Sequence, residues 1–204
     1  LLVGLVGAQW YSNTVQRDAQ ISSENYESLR ESYVNWTKSL RPSDAKSAPS
    51  PEAVNMLFQK MKTLRVSLQQ GTQPYPEVAR LYETLEIVSS GRVKELANVE
   101  ISLPGDTTKS GDFESRLVLE LQGLVIAKSL ADSSDHRDKG VALLKMLVQR
   151  GNVVSVVALS SLAELSMSDD EKKELLALLP SIEQQHPWQK AEIEKVKERI
   201  VLRQ

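Results

Sequence analysis

The pentapeptide LLKML at residues 143–147 returns as LLALL at 175–179, an offset of 32, and Ile126-Ala127 is answered by Leu162-Ala163 at an offset of 36. Around each leucine cluster the pattern is a helix apolar nearly all round, a tight turn, then an amphipathic helix. A unit of that length and composition, repeated, is what tetratricopeptide-like helical hairpins present, because one hairpin cannot bury its apolar face alone. The sequence therefore predicts an all-α chain built as a tetratricopeptide-like solenoid. The repeats are degenerate, and a plain helical bundle is the alternative reading of the same pattern.

The helices of this half follow from local signals. Residues 116–131 (RLVLELQGLVIAKSLA) form a buried helix that begins near Phe113. Ser133-Ser134-Asp135 is expected to cap the next, which carries Val141, Leu143, Leu144, Leu147 and Val148 and closes at Arg150-Gly151-Asn152. A third helix spans 153–167. Ser168 and Glu171 have the spacing of a capping box and open a fourth, which Pro180 and then His186-Pro187 are expected to interrupt. Trp188, Ala191, Val196 and Ile200 are the expected inward positions of the last helix. Gly123 and Gly140 are candidates for close helix approach.

Upstream, Ser50-Pro51-Glu52 reads as a helix start, with serine at the N-cap and proline in the first helical position. That helix carries Val54, Leu57, Phe58, Met61, Leu64 and Leu68. After the breaks at Pro74 and Pro76, another carries Val78, Leu81, Leu85 and Val88, and a turn or two follows at Val93, Leu96 and Ala97. Loops are expected at 42–50 (PSDAKSAPS) and 102–112 (SLPGDTTKSGD). The expected organisation is thus 1–11, 12–41 and a repeat domain 51–204 that contains the loop 102–112.

The first forty residues read differently. Leu1 to Ala8 is apolar, Trp10-Tyr11 follow, and Ser12-Asn13-Thr14 turn polar. Tryptophan and tyrosine at an apolar-to-polar border match the amphipathic belt of a membrane interface, so residues 1–11 are expected to be the end of a truncated transmembrane anchor, with Trp10 and Tyr11 at its interface. The flank beyond it is poor in cations, which directs the bulk of the chain to the outer side. A long linking helix is expected to run on to Arg41-Pro42. Its apolar positions Tyr26, Leu29, Tyr33 and Trp36 have the 3-4-3 spacing of a seam laid against a partner. That seam is either a partner-protein surface or a face covered by the chain's own repeats.

Composition removes whole classes of chemistry. The 204 residues are 41% hydrophobic and 25% charged, with a net charge of −2 and no cysteine. Disulfide frameworks, cysteine-zinc sites and thiol catalysis are excluded. The near-neutral charge argues against a nucleic-acid partner. His136-Arg137-Asp138 and Asp112-Phe113-Glu114 resemble kinase fragments, but in inverted order and without a glycine-rich loop. Pro104 to Ser110 ends like a phosphate loop, yet Thr108 and Leu103 stand where glycines are needed. His136 and His186 lie in different loops without partners at metal-ligand spacing. Asp169-Asp170-Glu171 is explained by helix capping, and the sequon Asn35-Trp36-Thr37 falls on the seam itself. The sequence therefore predicts no catalytic residue, metal, cofactor or small-molecule substrate.

With its apolar opening, its Trp10-Tyr11 border, the polar helix from Ser12 to Tyr33 and the degenerate repeats, the chain resembles the ancillary Sec translocon subunits of bacteria. That resemblance implies a single-pass protein of the bacterial inner membrane with a periplasmic tetratricopeptide-like domain. It further implies two partners, the Sec channel and a membrane-anchored periplasmic chaperone of the prolyl-isomerase type. The function expected is that of a non-catalytic membrane-anchored scaffold that assists translocation or envelope protein folding. The alternative is a soluble all-helical structural subunit whose apolar N-terminus is buried in a larger assembly.

Overall fold

A computed structural model describes residues 2–41, 49–99, 101, 113–151, 153–165 and 168–202, with side chains from Val15 onward. Eight α-helices are found among the described residues: α1 (Leu2–Leu40), α2 (Pro51–Gln69), α3 (Tyr75–Ser89), α4 (Phe113–Ala131), α5 (Arg137–Gln149), α6 (Ser155–Glu164), α7 (Asp169–Gln185) and α8 (Lys190–Leu202). Short 3₁₀ turns lie at Val93–Asn98 and Pro187–Gln189, and no strand occurs among these residues. The chain is all-α. Of the expected loops, 102–112 and most of 42–50 lie outside the described residues.

Contacts divide the chain into two compact units, Leu1–Ser89 with Ser110–Val118, and Ser90–Lys109 with Leu119–Gln204. This redraws the expected boundary between 12–41 and 51–204, because α2 and α3 join the long helix rather than the leucine-rich helices. The reason is apolar complementarity. The seam of α1 and the apolar faces of α2 and α3 bury one another.

In the first unit α1 packs along α2, and α3 closes against both. Leu29, Trp36, Met61, Leu68, Ala79 and Tyr82 are buried at its centre, with Tyr26, Tyr33, Leu57, Phe58 and Leu64 packed around them. Helix α2 starts as its sequence requires: the Ser50 hydroxyl accepts from the Ala53 amide at 3.2 Å, and proline follows directly.

The second unit is a stack of helices around one core. Helix α5 packs most extensively on α6, and α8 lies against α6 and α7. One core joins Ala127 and Ala131 of α4, Leu144 and Leu147 of α5, Leu159 and Leu162 of α6, Leu175 and Leu179 of α7, and Ile193, Val196 and Ile200 of α8. Gly140 is a close-approach residue: a Cβ there would collide with the Ala131 backbone. Gly151 ends α5 at φ +65°, and a Cβ at that position would strike the Gln185 side chain. In the turn that follows, the buried Ser155 hydroxyl donates to the Leu147 carbonyl at 3.0 Å.

Four local expectations are corrected. Helix α5 begins at Arg137 after His136, whose side chain makes no capping bond, so Ser133-Ser134-Asp135 form the preceding turn rather than the cap. Pro180 does not interrupt α7, which runs through it. The ring is on the exposed side, where water can take the carbonyl that loses its amide partner. Trp188 is 75% exposed and Ala191 is exposed as well, while Ile193 fills the inward position. The 3₁₀ turn at Pro187–Gln189 shifts the helical phase ahead of α8, and that rotates Trp188 out. Finally, residues 153–154 precede rather than begin α6, which ends at Glu164.

The capping box at Ser168 forms in full: the Glu171 amide donates to the Ser168 hydroxyl at 3.3 Å, and the Ser168 amide donates to the Glu171 carboxylate at 2.9 Å. The bond from the backbone amide, then that from the hydroxyl, holds the Glu171 carboxyl below its ordinary 4.5. A depressed carboxylate stabilises the fold above its unfolded value, and that contribution is lost as pH falls through the folded one. Ser168→Ala is expected to raise the Glu171 value partway toward 4.5 in a carboxyl NMR titration and to lower stability by about 1 kcal/mol. In urea unfolding, Gly140→Ala should cost about 1–3 kcal/mol through backbone collision, whereas Pro180→Ala should stabilise by up to about 3 kcal/mol.

Candidate functional site

The seam predicted for a partner is occupied by the chain itself. Leu29 and Trp36 are buried, and Tyr26 and Tyr33 are half-buried, all within the core made with α2 and α3. Their rings interlock: Tyr33 and Tyr26 meet Tyr82 edge-on, with centroids 5.4 and 6.3 Å apart, and Trp36 lies 6.1 Å from Phe58. The Tyr33 hydroxyl also sits 2.9 Å from the Ser89 hydroxyl. Four residues expected as a docking surface are therefore the interior of a three-helix unit, since an aromatic seam in water is covered by the nearest apolar face available.

Trp10 and Tyr11 belong to the backbone of α1, and their side chains lie outside the described residues. Among the described residues no helix is long and apolar enough to cross a membrane. His136 is at the turn before α5, beside Asp135, which pairs with Lys94 at 3.0 Å. His186 is buried at the end of α7 with its ring edge-on to Trp188 at 5.5 Å. No group of three metal-ligating side chains occurs among the described residues.

A cleft of about 240 Å³ opens where the first turns of α5 and α7 meet the end of α6. Its walls are Arg137, Asp138, Val141, Lys145, Leu162, Leu165 and Glu171. Two of its charged groups are already engaged. Lys145 pairs with Glu174 at 2.7 Å, and Glu171 serves the capping box. The cleft is a junction of helix ends.

A different surface emerges from the second unit. Lys128 of α4 pairs with Glu164 of α6 at 3.6 Å, and Arg199 of α8 reaches both Glu164 at 3.8 Å and the Ser160 hydroxyl at 3.3 Å. These pairs are half-exposed and each contributes at most about 1 kcal/mol. Their value is geometric, because they fix alternate helices side by side with one common face. Lys128 and Glu164 stand 36 residues apart, the offset that also relates the buried pairs Ile126-Ala127 and Leu162-Ala163. Two helical turns back from the ion pair, at the same offset, are Leu121 and Val157, both exposed. Val153, in the turn just before α6, is exposed as well. One face of the unit thus carries apolar side chains toward one end and a charged ladder toward the other. Sequence reasoning passed over Leu121 and Val157 because each sits on a helix that reads as apolar all round. The offset that would have revealed them was visible in the repeat.

A buried ion cluster was also missed. Arg65 of α2, its side chain almost wholly enclosed, contacts Glu86 at 3.1 Å and Glu83 at 3.3 Å, both on α3. A cation in register with Met61 and Leu68 on the apolar stripe was the signal for it. No family model, no curated protein and no solved structure matches this chain. The face made by α4, α6 and α8 therefore stands on its own geometry.

Two measurements check the first unit. Burial foremost, with the neighbouring Tyr26 hydroxyl, pushes Tyr82 up to about 12. Because its folded value is raised, the stability that Tyr82 contributes is intact below about 10 and declines as pH climbs toward 12. Ultraviolet titration should show a tyrosine step near 12, and Tyr82→Phe should remove that step. Arg65→Met is expected to cost about 3–5 kcal/mol by leaving Glu86 buried without its cation, while Arg65→Met combined with Glu86→Leu should recover most of that loss in urea unfolding.

Proposed function

We propose that this protein is a non-catalytic interaction scaffold whose second unit works as a short tetratricopeptide-like stack. The observation that carries the reading is the common face of α4, α6 and α8, registered by the Lys128–Glu164–Arg199 ladder and bearing exposed Leu121, Val153 and Val157. In that reading α4, α6 and α8 are the first helices of successive hairpins, and α5 and α7 are their partners. Leu159 and Leu162 are followed 34 residues on by the equally buried Ile193 and Val196, a spacing that supports the repeat. Exposed apolar side chains beside a charged margin suit an amphipathic segment of another protein, with apolar anchors at the centre and polar contacts at the rim.

The proposal extends to setting. The apolar stretch before Trp10-Tyr11 would tether the chain to the bacterial inner membrane, with its bulk in the periplasm. The Sec channel and a membrane-anchored chaperone would be its partners, in support of translocation or envelope protein folding. Aromatic residues at the apolar-to-polar border and the anionic flank after them support this placement.

Purification from a mild detergent extract tests both levels. The chain is expected to bring down translocon components or the chaperone, and Leu121→Asp with Val157→Asp should reduce recovery at least about tenfold while circular dichroism stays unchanged. Undiminished recovery with the double variant removes the face from the proposal. Absence of both partners from the parent extract removes the translocon assignment.

A further inference from the structure

Helix α8 buries Ile193, Val196 and Ile200 in the core of the second unit. Its opposite side carries Ala191, Lys195, Glu198 and Leu202, every one exposed. Their spacing is 4-3-4, the seam of a helix that lies along another helix. Leu202 is 78% exposed, and Trp188, in the 3₁₀ turn ahead of the helix, is 75% exposed.

The charges say what covers it. Glu194 and Lys197, on the flank, pair with each other at 3.5 Å. Lys195 and Glu198, at the centre of the stripe, have no ion-pair partner among the described residues. They carry opposite charges and stand symmetric about one point of the helix. Ala191 and Leu202 are symmetric about that same point. When two identical helices run antiparallel about a two-fold axis through it, Lys195 of each meets Glu198 of the other, and the small Ala191 of each receives the large Leu202. A parallel pairing would instead set Lys195 on Lys195 and Glu198 on Glu198, which like-charge repulsion opposes.

We infer that this stripe is a homodimer interface, in which α8 pairs antiparallel with α8 of a second copy of the chain through reciprocal Lys195–Glu198 contacts and Ala191–Leu202 packing. Such an isologous contact is closed, so it produces dimers and not filaments. A single four-turn helix pair is at the small end of specific interfaces, so association is weak and concentration-dependent.

Charge reversal tests the pairing in the full chain by sedimentation velocity over a concentration series. The parent is expected to dimerise. Lys195→Glu alone or Glu198→Lys alone should weaken dimerisation about tenfold or more, because each sets two like-charge contacts across the axis. The combined Lys195→Glu, Glu198→Lys chain restores complementarity and should recover the parent behaviour. Disulfide trapping gives a second readout, made clean by the absence of cysteine from the sequence. A mixture of Ala191→Cys and Leu202→Cys chains should cross-link under mild oxidation far faster than either variant alone. A parent that stays monomeric to about 1 mM overturns the inference and leaves the stripe to a different protein. A dimer indifferent to the single reversals, or a double reversal that fails to recover, overturns it as well.

Discussion

The second unit depends on one close contact, where the backbone of α5 at Gly140 comes down on the backbone of α4 at Ala131 with no room for a side chain between them. Dispersion forces act over such short distances that two helices without intervening side chains hold a fixed crossing. Beyond α5 the chain turns at Gly151 into α6, and the Lys128–Glu164 pair ties α6 to α4. Small residues continue the theme along the stack, with Ala127, Ala158 and Ala163 all fully buried.

The first unit is held by the opposite means. Its interior is aromatic and bulky, with Tyr26, Tyr33, Trp36, Phe58 and Tyr82 meeting at edges and tilts. Each tyrosine needs somewhere to put a hydroxyl, and Tyr33 finds Ser89 at the end of α3. A polar cluster sits in the same unit, where Arg65 bridges two glutamates of α3. These pairs tie α2 to α3, and a buried pair of this kind adds little net stability while the loss of one partner is costly.

Much of the secondary structure was legible because it rests on short-range chemistry. The start of α2 at Ser50-Pro51 and the capping box at Ser168 are decided by neighbours within four residues. Pro180 misleads because the cost of a proline depends on whether the orphaned carbonyl can reach water, which is a matter of facing. Trp188 misleads for a related reason: one 3₁₀ turn at Pro187 changes the phase of everything just after it.

The sequence by itself determined that the chain is all helix, where most of its helices begin and end, and which residues are apolar enough to need cover. Only the tertiary structure decided what provides that cover. Tyr26, Leu29, Tyr33 and Trp36 have the same spacing whether they await another protein or meet α2 and α3, because spacing describes one helix and burial requires two. Likewise Leu121 and Val157 become a surface only when their helices are set side by side, and the α8 stripe is recognised as open only when its opposite face is seen to be filled. Apolar attraction has no direction, so the choice among apolar faces belongs to whichever pair the folded chain can bring together.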